Sequence, residues 1–233
     1  MNEFTGKLAV ITGGGEGTGR EIAIQLANAG CDLAICDVSI QKLNQTKRHC
    51  EAAANKSVKI TTHICNVVDE VQVLAFVNSV QEEHETHAIN FLFNHSSVGG
   101  GRSFIKDSQD DWERCFKVCW YGVYYCIRAF QPLLMASDKG HIINSSSVNN
   151  WWERAGGMYH SAYETAKFAI KGFSESLAVE LRCDAPHIEI SLVVADYFTA
   201  SLDENELNIP NDSSDKDSAC MILEGVSNKR WLV

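Results

Sequence analysis

The chain has 233 residues, enough for one domain with a sizeable core, and 45% apolar with 21% charged residues is ordinary for a globular protein. Its formal net charge of −10 argues against nucleic acid and against an anionic membrane surface as partners, because no basic run exists to neutralise phosphates. No apolar stretch approaches the roughly 18 residues of a membrane span, and no signal-peptide pattern opens the chain.

Apolar runs and helix-length patterns alternate along the chain. The predicted strands are 7–12, 31–37, 58–64, 89–93, 140–144 and 188–194. The predicted helices are 20–29, 40–54, 69–84, 109–135 and 161–182, and after an acidic, loop-like segment at 201–217 we expect a helix at 215–226 and the start of a strand at 228–233. Continuous apolar strands are covered on both faces, so this alternation predicts a doubly wound α/β fold with a parallel sheet. No linker or repeat divides the chain, and residues 1–233 are predicted to form one domain.

A glycine-rich turn lies between the first predicted strand and helix, with the sequence Thr12-Gly13-Gly14-Gly15-Glu16-Gly17-Thr18-Gly19. Glycine permits positive φ and lets a phosphate approach the backbone, and the helix N-terminus then offers N–H groups to a pyrophosphate. The turn therefore predicts a dinucleotide site, although any tight strand-to-helix turn could look similar.

Asp37 ends the second predicted strand about 20 residues after the turn, where a carboxylate can bind the adenosine ribose hydroxyls. It could also be an exposed strand-end aspartate. A 2′-phosphate placed there would meet Asp37 and Glu16, and no arginine or lysine replaces either residue. Like-charge repulsion therefore predicts NAD and disfavours NADP.

Tyr163 and Lys167 lie four residues apart in a predicted helix, so their side chains share a face. At about 4 Å and an effective dielectric of about 20, the ammonium favours a phenolate by roughly 4 kcal/mol. A tyrosine in this setting can pass a proton to or from an alcohol or ketone. The spacing alone is weak evidence, because Y-x-x-x-K arises often by chance on helix surfaces.

Nine cysteines is a high and odd number, and no C-x-x-C pair occurs among them. Most lie inside apolar runs, which is typical of small buried side chains in a reducing compartment. No Cys/His cluster has zinc-ligand spacing. The sequence thus predicts no metal site and favours a cytoplasmic location.

Together these features resemble the short-chain dehydrogenase/reductase family from Gly6 to about Thr199. The family's T-G-x-x-x-G-x-G turn and its Y-x-x-x-K pair match Thr12, Gly13, Gly17, Gly19, Tyr163 and Lys167. Its serine motif after the fifth strand, G-x-I-V-N-x-S-S, aligns with residues 140–147 and selects Ser147. Three serines in a row could be only the polar end of a strand, and the register of Asn144 is the ground for choosing Ser147.

The resemblance implies a single Rossmann domain in which Tyr163 transfers a proton, Ser147 donates a hydrogen bond to the substrate oxygen, and Lys167 holds the nicotinamide ribose. The implied cofactor contacts are Gly13, Gly15, Glu16, Gly17, Thr18, Gly19, Asp37, Val38, Asn66, Val67, Asn94, Ser96, Val118, Tyr163, Lys167 and Thr199. The substrate pocket is expected at Ser97, Asn149, Trp151 and Tyr197, with a short covering region at about 200–233. Trp151 and Trp152 could equally pack under a loop or at a subunit contact. Relatives pair through their fourth and fifth helices, so a homodimer or homotetramer is expected.

Several positions depart from the family pattern. Cys119 replaces a helix asparagine that organises a water leading to the lysine, and a thiol is a poor substitute for an amide. The family motif N-N-A-G is replaced by Asn94-His95-Ser96-Ser97, and the motif Pro-Gly is replaced by Ala195-Asp196. Asn66 replaces an aspartate. The spacing from Ser147 to Tyr163 is also longer than is common in the family.

Two functional hypotheses remain. The first is an NAD-dependent oxidoreductase acting on a moderately apolar secondary alcohol or ketone. The second is a non-catalytic, nucleotide-binding relative with a regulatory or scaffold role, which the departures near the chemistry support. A protein without catalysis has no chemical reason to keep Tyr163 and Lys167 four apart, so the sequence favours the enzyme.

Overall fold

The structure, a computed structural model, describes residues 3–98, 103–147, 161–195 and 214–233. Its strands are β1 Leu8–Thr12, β2 Asp32–Asp37, β3 Ile60–Ile64, β4 Phe91–Asn94, β5 Gly140–Ser147 and β6 Ile188–Ala195. Its helices are α1 Gly17–Asn28, α2 Ile40–Ala53, α3 Glu70–His84, α4 Gln109–Phe116, α5 Gly122–Met135, α6 Ser161–Asp184 and α7 Asp215–Ser227, with a π-helical turn at Lys117–Tyr121 between α4 and α5.

The six strands form one parallel sheet in the order β3-β2-β1-β4-β5-β6. The chain runs outward from β1 to β3 and then returns to the other side of β1 with β4. The strand order therefore reverses between β1 and β4, and the carboxyl ends of these strands flank the crevice in which such folds bind ligands. The predicted doubly wound fold is confirmed.

Two apolar cores cover the sheet, one on each face. Alternate strand residues point to opposite sides, so Val10 and Ile142 join the core under α3, α5 and α6, whereas Ile11 and Ile143 join the core under α1, α2 and α7. Burial on both faces explains why the strands consist of continuous apolar runs. None of the helices in the four described ranges is long and apolar enough to cross a membrane.

The structure differs from the predicted elements at three places. The single helix predicted at 109–135 is interrupted by the π-helical turn, a one-residue widening that apolar periodicity does not reveal. β5 continues to Ser147, because its three serines extend the parallel pairing with β6. The predicted last strand is reduced to one parallel bridge between Leu232 and Leu192.

Candidate active site

The glycine turn needs glycine for two separate reasons. Gly13 and Gly17 have φ of +68° and +56°, a region that other residues rarely adopt. At Gly19 the constraint is space, because a Cβ there would lie 2.3 Å from the carbonyl oxygen of Gly13. A Cβ at Gly13 would likewise lie 2.8 Å from the Cα of Ser96, at the end of β4. The turn thus brings the start of α1 and the end of β4 into backbone contact.

The N-terminus of α1 is open to an anion. Its N-cap residue, Glu16, makes no side-chain capping hydrogen bond, and the first turn contains no acidic residue. The first N–H groups of the helix therefore have no side-chain partner in the part of the chain that the structure describes, and they carry the positive end of the helix dipole. With the backbone approach that the glycines allow, the residues present fit a dinucleotide pyrophosphate.

Asp37 lies against the glycine turn with a fixed carboxylate. Its Oδ2 accepts a hydrogen bond from the Gly15 N–H at 3.1 Å, and its Oδ1 accepts one from the Ser39 N–H at 3.0 Å. A Cβ at Gly15 would lie 2.7 Å from the Asp37 Cγ, so only glycine allows this contact. Two backbone donors leave further lone pairs on the carboxylate for ribose hydroxyls.

Two charged contacts at this end of the site were missed by sequence reasoning. Lys42, on α2, forms an ion pair with Glu16. Its ammonium offsets the Glu16 charge, so Glu16 repels a 2′-phosphate less than the sequence suggested. Asp215, at the start of α7, accepts a 2.6 Å hydrogen bond from the Thr18 hydroxyl, which places a carboxylate beside the first turn of α1. No local signal could reveal a contact between residues 197 positions apart.

Four of the remaining predicted cofactor residues follow the ends of β2, β3 and β4, and Val118 lies in the π-helical turn. Val38 is exposed after β2, while Val67 is buried after β3, where a Cβ at Gly122 would lie 2.6 Å from its Cγ2. The Asn66 Oδ1 accepts a hydrogen bond from the Val68 N–H at 3.3 Å. The Ser96 N–H donates to the Thr12 Oγ1 at 3.1 Å. Val118 packs partly buried against the core.

Lys167 is the central charge of the part of the site that holds the predicted catalytic residues Ser147, Tyr163 and Lys167, called the catalytic half below. Its side chain is buried, with 2% exposed, and its Nζ donates to the Ser145 carbonyl oxygen at 2.8 Å. The same Nζ lies 5.4 Å from the centroid of the half-buried Tyr163 ring. Ser147 lies buried at the carboxyl end of β5. Strand β5 and helix α6 thus bring the three predicted catalytic residues to one edge of the sheet.

A chain of buried amides supports this edge. Asn94 donates through Nδ2 to the Asn144 Oδ1 at 2.8 Å, and Asn144 donates in turn to the Ser174 Oγ of α6 at 2.9 Å. Asn94 was predicted as a cofactor contact, and its amide nitrogen is engaged between β4 and β5. His95 follows directly, with its Nδ1 2.8 Å from the Ser145 Oγ. Removal from water and the nearby Lys167 charge lower the pKa of His95 to about 4, so its ring is neutral near neutral pH.

A family model described as short chain dehydrogenase matches residues 7–208. The chain belongs to the short-chain dehydrogenase family. The resemblance found in the sequence is therefore confirmed, and the chain shares the fold of a family of oxidoreductases. This membership supports an enzymatic role.

The chain is similar to known members of this family. A Mycobacterium tuberculosis protein with the name "Putative oxidoreductase SadH" is 32% identical over 193 residues, which are 83% of this chain and 67% of SadH. A short-chain dehydrogenase/reductase of Burkholderia phymatum in complex with NAD superimposes with a TM-score of 0.86 at 25% identity, covering 100% of this chain and 90% of its own. A metagenomic short-chain oxidoreductase in complex with NADP gives 0.78 at 26% identity, covering 99% and 96%.

Some predicted site residues of this dehydrogenase fall outside the described ranges. These are Thr199 among the cofactor contacts and Asn149, Trp151 and Tyr197 among the pocket residues. Within the described ranges, Ser97 is exposed at the end of the β4 loop, and its Oγ lies 3.5 Å from the Cys119 Sγ. Cys119 itself is fully buried in the π-helical turn.

Proposed function

We propose that this short-chain dehydrogenase is an NAD-dependent oxidoreductase that transfers a hydride between nicotinamide and a moderately apolar secondary alcohol or ketone. The observation that carries the proposal is the buried Lys167 ammonium beside the Tyr163 ring, at the carboxyl end of the strand that carries Ser147. A charged ammonium is costly to bury, so its retention at this edge is best explained by chemistry there.

Each residue of the set has a separate role. Tyr163 gives its phenolic proton to the substrate oxygen in reduction and takes the proton back in oxidation. Ser147 donates a hydrogen bond to the same oxygen as negative charge develops on it. Lys167 stabilises the phenolate through its positive charge, which the neutral Ser145 carbonyl holds in place without cancelling it. When bound, the nicotinamide supplies or accepts the hydride.

The preference for NAD rests on Asp37. Its carboxylate lies at the end of β2, fixed by two backbone N–H groups, where a 2′-phosphate would meet a negative charge. Lys42 weighs against the preference through its ion pair with Glu16. Since that ion pair is more than a third exposed on both sides, solvent screens it, and we expect Asp37 to dominate.

Two further expectations belong to this proposal. Homo-oligomer formation is supported by large apolar side chains that are exposed on α6 and at the start of α5, namely Tyr121, Tyr124, Phe168 and Val179. A cytoplasmic location is supported by all nine cysteines being free thiols.

The enzyme is tested by incubating the purified chain with NAD and a panel of secondary alcohols, and with NADH and the matching ketones, while cofactor absorbance is followed. We expect turnover that falls by about 10²–10⁴-fold in Tyr163→Phe, with NAD affinity retained. Cofactor binding without turnover for any substrate, equal in wild type and Tyr163→Phe, would instead support the non-catalytic alternative.

The cofactor preference is tested with Asp37→Ala. We expect the ratio of the NAD and NADP dissociation constants to move toward NADP by at least tenfold, because the repelling charge is removed. Asp32→Ala, at the opposite end of the same strand, provides a charge-matched comparison. An unchanged ratio in Asp37→Ala would mean that Asp37 does not select the cofactor.

A further inference from the structure

A lysine side chain lies at the adenosine end of the nucleotide site, although no basic residue occurs in the glycine turn or directly after Asp37. A Cβ at Gly15 would lie 3.0 Å from the Cβ of Lys42 and 2.7 Å from the Cγ of Asp37. The stem of Lys42 therefore starts on the same side of Gly15 as the carboxylate that is predicted to bind the adenosine ribose. Because this stem is long and flexible, it can carry the ammonium toward a phosphate on that ribose.

The Lys42 ammonium is held by the Glu16 carboxylate, which is its only side-chain partner in the part of the chain that the structure describes. Both side chains are more than a third exposed, so solvent screens the ion pair and weakens it. The first turn of α2, which carries Lys42, contains no acidic residue. The lysine charge therefore adds to the positive end of the helix dipole, and this corner of the site attracts an anion.

Arg20, another cation beside the glycine turn, is committed to fixed partners. Its Nε donates to the Gly15 carbonyl oxygen at 3.1 Å and to the Thr46 hydroxyl at 3.1 Å. Its Nη2 donates to the same carbonyl and to the Gln45 side-chain oxygen at 3.3 Å. A guanidinium with these partners holds the turn in place. The Lys42 ammonium, by contrast, needs only to exchange one carboxylate for another anion.

We propose that Lys42 is a binding residue for the 2′-phosphate of NADP, and that Glu16 favours NAD by keeping Lys42 in an ion pair. With NAD the pair stays closed, because a ribose hydroxyl carries no charge that competes with Glu16. With NADP the phosphate must displace Glu16 from Lys42 while Asp37 repels it. The role of Glu16 then depends on Lys42, whereas direct repulsion of the phosphate would act without the lysine. This inference rests on the proposed function, because it concerns the same nucleotide site.

The two roles of Glu16 are separated by a double-mutant cycle of Glu16→Gln and Lys42→Met. The dissociation constants of NAD and NADP are measured by titration at low ionic strength for the wild type, both single variants and the double variant. Glu16→Gln should improve NADP binding relative to NAD about five- to tenfold, because the ammonium is released toward the phosphate. In the Lys42→Met background the same change should alter the ratio by less than about twofold, because an exposed carboxylate repels weakly.

Direct repulsion predicts the opposite order, because a Glu16 carboxylate without its lysine would repel the phosphate more. A gain that is as large or larger in the Lys42→Met background therefore overturns the inference, and so does an unchanged ratio in Glu16→Gln. Adenosine 5′-phosphate and adenosine 2′,5′-bisphosphate differ only in the 2′-phosphate and should show the same pattern. A pattern confined to the whole dinucleotides would place the effect away from the 2′-phosphate and would also overturn the inference.

Glu189→Gln is the matched control, because it breaks the exposed ion pair with Lys229 at the amino end of β6. It should leave the ratio of the two dissociation constants unchanged. An equal change in this variant would show a general effect of net charge and would contradict the role of Lys42. If the wild type bound neither cofactor, the proposed function would fail and this inference with it. If it binds NAD and the cycle is additive, only this inference fails.

Discussion

The two halves of the site are built in opposite ways. The nucleotide half depends on side chains that are absent, since Gly13, Gly15 and Gly19 each exclude a Cβ that would collide with backbone or with Asp37. The catalytic half depends on buried polar side chains, above all Lys167 and the pair Asn94 and Asn144. The first kind of site allows almost no substitution, whereas the second tolerates exchange of one polar group for another provided that its partners stay satisfied.

This difference explains where the chain departs from its family. The glycine pattern is intact, because backbone clearance has no chemical substitute. The catalytic half carries Cys119, Ser97 and His95 in place of the usual residues, and each has a hydrogen-bond partner in the structure. A different side chain can supply a hydrogen bond, so the polar residues of the catalytic half can be replaced, whereas the glycines that provide backbone clearance cannot.

The largest expected effect comes from breaking the polar network of the catalytic half. Asn144→Ala leaves the Asn94 amide and the Ser174 hydroxyl without this partner in a buried site, where the Asn94 Oδ1 has no hydrogen-bond partner among the described residues. We expect the free energy of unfolding to fall by about 2–4 kcal/mol. Denaturant unfolding measures this loss. Asn44→Ala, on the exposed face of α2, should change it by less than about 0.5 kcal/mol. A loss below about 1 kcal/mol in Asn144→Ala would show that the network does not stabilise the sheet.

The next largest effect, on both stability and NAD binding, is expected when a Cβ is added at Gly19, where the backbone leaves no space for one. Gly19→Ala forces the start of α1 away from the Gly13 carbonyl, which should lower stability by about 1–3 kcal/mol and weaken NAD binding at least tenfold. Gly172→Ala is the matched comparison, because a Cβ there meets nothing within 4 Å on the exposed face of α6. It should raise stability by about 0.5–1 kcal/mol and leave NAD binding unchanged. Equal effects of the two alanines in calorimetry and binding would contradict the clearance argument.

The fold could be predicted almost entirely from the sequence, because its information is local. Strands buried on both faces consist of continuous apolar runs, and all six start within two residues of the predicted position. The misses share one cause. The π-helical turn and the extension of β5 depend on contacts with α6 and β6, which leave no trace in the periodicity of a single segment.

The site could be predicted only as far as residue type and spacing specify it. The pattern of glycines, Asp37, Tyr163 and Lys167 is such a case. The Lys42 ion pair with Glu16 and the contact between Ser97 and Cys119 could not be predicted, because each joins residues from different elements. Cys119 was read as a weak replacement for an amide. In the structure its sulfur lies 3.5 Å from the Ser97 hydroxyl, a contact between the β4 loop and the π-helical turn.

The smallest expected effect is a change in NAD affinity caused by a polar side chain, Asp215, that lies beside the glycine turn. Asp215 brings a carboxylate to the Thr18 hydroxyl, beside the helix N-terminus that fits a pyrophosphate. Asp215→Asn keeps an oxygen to accept that hydrogen bond and removes the charge. We expect NAD to bind several-fold more tightly, on the order of 1 kcal/mol, in titrations at low ionic strength.

Salt separates this charge effect from a change in packing. The gain in affinity should shrink as ionic strength rises, because the repulsion is screened over a Debye length of about 8–10 Å near physiological salt. Asp138→Asn, an equal change of charge in the exposed ion pair with Lys7, lies at the opposite end of the sheet and should leave NAD affinity unchanged. Equal affinities of wild type and Asp215→Asn would mean that α7 carries its carboxylate away from the α1 N-terminus when NAD binds. NAD binding would then require that the Asp215 carboxylate leave this position, just as it requires that position 19 carry no Cβ.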